Sequence, residues 1–438
     1  MPRYLIIAGV DFGTSFTKVV LRDNNTPGSL ARVVTFPQYP DGLLPSIVSL
    51  LDKAAAPPSQ RPLGEKVPYL KMLAAHIAGG KSLVSADVQI PESVEVLCDS
   101  YAEREIIRGL LAFYFAHVMA ATELFIRTKS PWQDFDFASG GRDILVYQLA
   151  VPTGMLADDG ATERLFREAF TAAYDLRVFI PQPLEGTLPF DEVLERVATS
   201  LDEEETVRNT RFQWQCLLYP EVAAAVQTVF RTPNAPDGLY VTMDVGAGTV
   251  DLNTFRRFTG HQVLRRTGTP RIRNLDYYSA IVRPLGVQHL NDPHGAVHPR
   301  FESVLMEELR ESLRALILRG QAIQPNLGHT QGHRTWDGAK LFIFGGGAIY
   351  PGYRHNFAEG LENTGIHSPQ PMELPSSPDL DRPRTVDFGR FAVAYGLSFF
   401  RPSLDQVKLP HELAPFETLL AEQSDDTPPH EYGFNWDD

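Results

Sequence analysis

An apolar run at residues 4–10 gives way to a polar turn, Asp11-Phe12-Gly13-Thr14-Ser15, and a second apolar run follows at 19–21. Short apolar runs bounded by turn residues read as strands. Residues 4–10, 16–22 and 31–36 are therefore expected to form a three-strand meander, followed by a short strand at 47–51. Prolines and small residues across 52–68 predict a surface loop. The three-to-four spacing of Ile106, Leu110, Phe113, His117, Ala120 and Leu124 predicts a helix over 101–127. A buried strand at 143–151, an amphipathic helix at 162–174 and a strand at 176–180 follow. Residues 181–212 break this rhythm with Pro181, Pro183, Gly186 and Pro189 ahead of a strongly acidic helical stretch, and read as an insertion on the surface. The pattern resumes with a strand at 215–218 and an alanine-rich helix opened by Tyr219-Pro220-Glu221, where proline suits the first turn.

After a proline- and glycine-bearing linker at 232–238, the opening pattern returns. A strand at 239–244, the turn Gly246-Ala247-Gly248, and strands at 249–256 and 263–267 repeat the meander as an architecture and not as a close sequence repeat. A helix at 302–319, a polar loop at 321–338 and a strand at 341–344 ending in three glycines come next. A helix after Pro351, a proline-rich loop at 366–385 and a small-residue helix at 391–400 complete the ordered part. From about 420 the chain is acidic and polar, with Tyr432, Phe434 and Trp436 near its end.

A chain of 438 residues is long for one core. The expected division is a first lobe over 1–235, with a small subdomain at 37–100 and the insertion at 181–212. A second lobe spans 236–390, with a small subdomain at 285–338, and a helix within 391–415 returns to the first lobe. The tail, 416–438, is expected to be disordered. Hydrophobic and charged fractions of 43% and 21% are those of an ordinary globular protein. A formal net charge of −14 argues against a broad nucleic-acid surface. Cys98 and Cys216 sit in apolar settings and read as buried free thiols suited to a reducing cytoplasm. No run reads as long enough to span a membrane, and the N-terminal apolar stretch leads straight into the Asp11 turn, as a strand and not a signal peptide.

The first turn holds a carboxylate, a glycine, hydroxyls and Lys18. That mixture suits a phosphate site: glycine admits backbone N–H groups to the ligand, hydroxyls add donors, and lysine adds a point charge. Asp11 suits a hydrated magnesium ion, which takes one or two carboxylates plus waters and phosphates. Asp244-Val245-Gly246-Ala247-Gly248-Thr249-Val250-Asp251 repeats that logic. Either turn alone is ordinary. Two of them in matching places suggest a polyphosphate gripped from both sides, with Asp11 and Asp244 sharing one ion. The strand ending in Gly345-Gly346-Gly347-Ala348 would let a flat ligand approach the backbone. Gly79-Gly80-Lys81-Ser82 lacks the first glycine and the preceding strand of a P-loop. The histidines at 289, 294, 298, 329 and 333 lie in polar stretches without cysteines or paired carboxylates, and are set aside as metal ligands.

Taken in order, these segments resemble the actin and 70-kDa heat-shock-protein ATPase superfamily. The resemblance implies an α/β, two-lobed actin-like ATPase fold: duplicated ribonuclease-H-like domains, each a five-stranded mixed sheet with helices. It implies ATP or ADP with Mg²⁺ between the lobes. Asp11 and Asp244 match the family's magnesium-water carboxylates, and Gly13, Thr14 and Ser15 its first phosphate loop. Gly246, Ala247, Gly248 and Thr249 match the second phosphate loop, and Gly346, Gly347 and Ala348 the adenosine loop. Lys18 matches the phosphate-contacting lysine of actins, which the chaperones lack, and Glu221 a water-orienting glutamate. Pro152 resembles the chaperones' switch proline, and Leu44-Pro45-Ser46 their Pro-Ser strand. Ala247 departs from a glycine common in the chaperones. The chain continues only about 40 residues past the connecting helix, so a self-contained chaperone with a peptide-binding domain is not expected.

The leading expectation is a magnesium-dependent ATPase switch, acting through a partner protein, with Glu221, Asp11, Asp244 and Lys18 carrying the chemistry. An actin-like filament protein and a small-molecule kinase of the same fold are the alternatives.

Overall fold

In the computed structural model of the chain, the described residues are 3–58, 64–86, 90–138, 141–152, 160–202, 215–231, 236–259, 273–290, 299–323, 338–362, 369–372, 379–401 and 404–409, with 336, 364 and 366. The chain begins with β1 (Leu5–Phe12), β2 (Phe16–Asp23) and β3 (Ala31–Val33), then four short strands, β4 (Leu44–Pro45), β5 (Val48–Leu51), β6 (Ala54–Ala56) and β7 (Glu65–Val67). Helices α1 (Leu70–Ala78), α2 (Glu92–Cys98) and α3 (Glu103–Thr128) lead to β8 (Ile144–Val151), α4 (Ala161–Leu176), β9 (Leu188–Pro189), α5 (Phe190–Leu201), β10 (Cys216–Pro220) and α6 (Glu221–Phe230). The second half contributes β11 (Gly238–Val245), β12 (Val250–Thr259), β13 (Arg273–Arg283), α7 (Pro299–Ile323), β14 (Lys340–Phe344), α8 (Pro351–Glu359), β15 (Gln370–Met372), β16 (Leu380–Asp381), α9 (Ala392–Leu397) and β17 (Gln406–Lys408).

The protein is a mixed α/β structure in which two sheets repeat one strand order. The first runs β10-β8-β1-β2-β3-β16, with β4 on β2, and the second β15-β14-β11-β12-β13-β17. In each, a central strand pairs antiparallel with the next strand in sequence and parallel with one from much later: β1 with β2 and β8, β11 with β12 and β14. The parallel crossovers place helices on the sheet faces, which is why β1, β8 and β11 are nearly continuous apolar runs. A third, small sheet joins β7-β5-β6-β9.

Three packed layers carry the structure. On one face of the first sheet, Phe12 packs its ring against Tyr114, Phe115 and Phe166 of α3 and α4 at 4.9–6.2 Å between centroids. Between the two sheets lie α6 and α9, in a core that takes Val20 and Val33 from one sheet and Tyr240, Phe255 and Tyr277 from the other. The helices touch closely because a methyl on Gly396 would overlap the Ala224 carbonyl, and one on Gly9 of β1 would overlap the Ala394 carbonyl. Beyond the second sheet, Leu309, Leu313 and Leu316 of α7 pack with Val241, Met243 and Val245.

Several expectations change. The stretch 52–68 contains β6 and β7 and is not wholly a loop. Residues 177–179 form a single 3-10 turn instead of a strand, because Val178 and Phe179, 68% and 50% exposed, point away from any sheet. The start of 181–212 is not a surface addition: β9 joins the small sheet, and Phe190, Val193 and Val197 of α5 enter the first core against α3 and α4. The third strand of the second meander is β13; residues 263–267, expected to fill that place, lie outside the described residues. So do Thr232 to Ala235 of the linker, 203–212 of the acidic stretch, His294, His298, His329, His333 and the tail at 416–438. Helix α3 is long and apolar enough to cross a membrane, where no spanning run was expected, but 89% of its apolar window is buried inside the protein, as in a core helix. Cys98 is exposed, not buried; Cys216 is buried, and both are free thiols.

Candidate functional site

The two meanders end in equivalent turns. Gly13 N–H donates to the Phe16 carbonyl at 3.2 Å, and Gly246 N–H to the Thr249 carbonyl at 2.9 Å. Asp11 and Asp244 sit two residues before those glycines, near the ends of β1 and β11. Strand register sets Lys18 opposite Asp11, and Asp251 opposite Asp244. The repeat therefore differs in charge: the first turn carries an ion pair, Lys18 Nζ to Asp11 Oδ2 at 2.7 Å, where the second carries two carboxylates. The turns face each other directly, since a methyl on Gly248 would lie 2.7 Å from Thr14 Cγ2. The second turn is braced from behind by 286–288, whose N–H groups donate to the Gly248, Gly246 and Ala247 carbonyls at 2.9–3.2 Å.

Between the turns is a cavity of ≈ 330 Å³, within the range of small-molecule sites. Asp11, Gly13, Thr14, Ser15 and Lys18 line it from the first sheet, and Asp244, Gly246, Ala247 and Thr249 from the second. Glu221, in the first turn of α6, lies at its floor, and Gly346 and Gly347 form another wall. Gly345 can begin that wall only as glycine: its φ is +89°, and a side chain would overlap Asp244 Oδ1 and the Val245 carbonyl. Gly248 and Ala348 do not line the cavity. Gly248 is wedged against Thr14, Gln288 and Met72, and Ala348 is buried with its carbonyl accepting from Arg354 Nε at 3.2 Å.

Sequence reading left out Lys71, Asp251, Gln288 and Arg390, all of which line the cavity. Lys71 is 4% exposed, and its Nζ lies 2.8 Å from Glu221 Oε2. Its signal was present: a lysine beside Leu70, on a helix that also buries Leu73, Ala74 and Ile77, is a charge on an apolar face. Asp251 stands at the end of the second motif, and strand alternation from Thr249 puts it on the same face. Arg390 had no local signal, because only the packing of α9 brings it to the cavity.

Burial sets the electrostatics. It pushes the Glu221 carboxyl up, Lys71 pulls it back and Asp11 pushes it up again. Asp244 is held well above the usual carboxylate range by burial and by Glu221, Asp251 and Asp11. Asp251 is raised to about 7 by burial and by Glu221, with Lys71 opposing. Burial would lower Lys71, but Glu221, Asp251 and Asp11 outweigh it, so its ammonium is held above the ordinary value. Four carboxylates thus surround two lysines, and Asp11 Oδ1 and Asp251 Oδ1 are buried without a hydrogen-bond partner. Among the described residues no three His, Cys, Asp or Glu side chains converge to ligate a metal directly. The surplus of negative charge and the unpaired carboxylate oxygens fit a divalent cation that keeps its waters.

The sequence matches no family model, and no curated protein is significantly similar to it. The fold and site define a mixed α/β protein that places an acidic, lysine-bearing, glycine-walled cavity between two repeated sheets.

Proposed function

We propose that the protein is a magnesium-dependent, ATP-binding and ATP-hydrolysing switch with the two-lobed arrangement of the actin and 70-kDa heat-shock-protein ATPases. The observation that carries this reading is the opposed pair of Asp-x-Gly turns, which touch where Gly248 packs on Thr14 and which both line one cavity. The turns cradle the polyphosphate with backbone N–H groups and hydroxyls, and the glycine wall at 345–347 takes the nucleoside. Asp11 and Asp244 hold the waters of a magnesium ion, which neutralises phosphate charge when bound. Glu221, fixed by Lys71, orients a water for in-line attack on the terminal phosphorus, while Lys18 and Lys71 balance developing negative charge. The two sheets close on the ligand, and a partner protein reads the closure.

The test is calorimetric titration with Mg-ATP and a phosphate-release assay on wild type, Asp11→Ala and Asp244→Ala. Wild-type binding and turnover that both variants lose is the expected result; intact binding and turnover in the variants refutes the reading. A second reading, a small-molecule kinase, is favoured by Asp251, a cavity carboxyl raised to about 7 and so able to accept a proton near neutrality. Phosphoryl transfer from ATP to a sugar or to acetate, in place of hydrolysis, would establish it.

A further inference from the structure

Three cationic side chains line the cavity, and two are committed. Lys18 pairs with Asp11 at 2.7 Å and Lys71 with Glu221 at 2.8 Å. Arg390 is different: among the described residues its guanidinium has no hydrogen bond or ion pair. It belongs to the 3-10 turn Phe388–Phe391, directly ahead of α9, which packs on the first sheet. Its side chain nevertheless reaches the wall that follows β14 of the second sheet. A methyl on Gly346 would sit 3.6 Å from Arg390 Nε and 3.7 Å from its Cγ. Arg390 therefore joins the turn ahead of α9 to the glycine wall at one side of the cavity. Leu43 and Val393, which also line the cavity, are buried and apolar.

A partly buried guanidinium without a protein partner is suited to a planar, paired contact with phosphate oxygens. The acidic end of the cavity, at Asp11, Asp244 and Asp251, is where the terminal phosphates and their cation go. The Arg390 side chain lies instead against Gly346 of the glycine wall, where that reading seats the nucleoside, so the guanidinium stands beside the phosphate next to it. We propose that Arg390 is the residue that anchors the phosphate nearest the nucleoside, and that it couples the two sheets only when a polyphosphate is bound. The inference rests on the nucleotide reading above and adds a specificity-determining residue to it.

The test compares wild type, Arg390→Met and Arg390→Lys by calorimetry with Mg-ATP, and by displacement of bound ATP with inorganic tripolyphosphate, a probe that has phosphates but no nucleoside. Arg390→Met is expected to weaken both ligands at least about tenfold, the scale of one hydrogen-bonded charge, with Arg390→Lys recovering part of the loss. Thermal denaturation of the ligand-free variants is expected to match wild type, because the guanidinium bonds to nothing in the described fold. A loss for ATP with none for tripolyphosphate overturns the phosphate assignment in favour of a nucleoside contact. Unchanged affinity for both ligands overturns the inference and leaves the nucleotide reading standing. No ATP binding by wild type overturns both.

Discussion

Lys71 and Glu221 are one unit. Each is almost fully buried, so removing either strands a charge in a low-dielectric site. Lys71→Met is expected to destabilise the ligand-free protein by about 3–5 kcal/mol, and Lys71→Met with Glu221→Gln by clearly less, as measured by urea unfolding. A double variant no more stable than the single one would show that the pair is not the cause. Asp251 makes a pH-dependent contribution. Its folded-state pKa of about 7 lies above the ordinary 3.8. Between those values the folded protein holds a proton that the unfolded chain has released, so stability falls as pH rises through this window and levels off above it. Asp251→Asn removes the cost of ionising that group. It is expected to stabilise the metal-free protein by about 1–3 kcal/mol at pH 8 and by clearly less at pH 5, where only part of the window has been crossed, read from denaturation in the presence of a chelator.

At the scale of elements, helix α9 is short, and its position depends on contact and not on propensity. Gly396 brings it onto α6 so closely that a methyl would overlap the Ala224 carbonyl, which is backbone and cannot rotate away. Gly396→Ala is expected to cost about 1–3 kcal/mol and to weaken ligand binding as well, because α6 carries Glu221 and α9 follows Arg390; a variant with wild-type melting and affinity would contradict this. Helix α5 makes a related point. Its amphipathic pattern was legible, but prolines before it and acids along it made it look external. Phe190 is fully buried, and a methyl on Gly109 of α3 would lie 3.0 Å from its ring. Phe190→Ala is expected to destabilise by about 3–5 kcal/mol in thermal or urea unfolding, where a surface helix would lose almost nothing.

For the whole molecule, the nucleotide reading makes a linkage prediction. A ligand that binds only the folded state at a hundred times its Kd adds about 2.7 kcal/mol. Mg-ATP is therefore expected to raise the melting temperature of the wild type and not of Asp11→Ala or Asp244→Ala, in a scan followed by circular dichroism. The effect should need magnesium, because four carboxylates among three cationic side chains leave a polyphosphate's charge without an offset unless a cation supplies it. A rise that persists in the two variants would mean that the nucleotide binds elsewhere.

The sequence by itself determined the strand-turn-strand units, because short apolar runs broken by Asp, Gly and hydroxyl residues have few other folded forms. It also determined that the two turns repeat one Asp-x-Gly pattern, and most of the residues read from that pattern line one cavity. Lys71 was legible in principle, as a charge on an apolar helix face. Hairpin register, a local feature, set Lys18 opposite Asp11 and Asp251 opposite Asp244; the tertiary structure alone decided that Lys71 answers Glu221. It also decided that Gly248 packs behind the cavity while Arg390 lines it. Those outcomes depend on the packing of α6 and α9 between two sheets, and pairings between residues so distant along the chain leave no periodicity for a local reading to find.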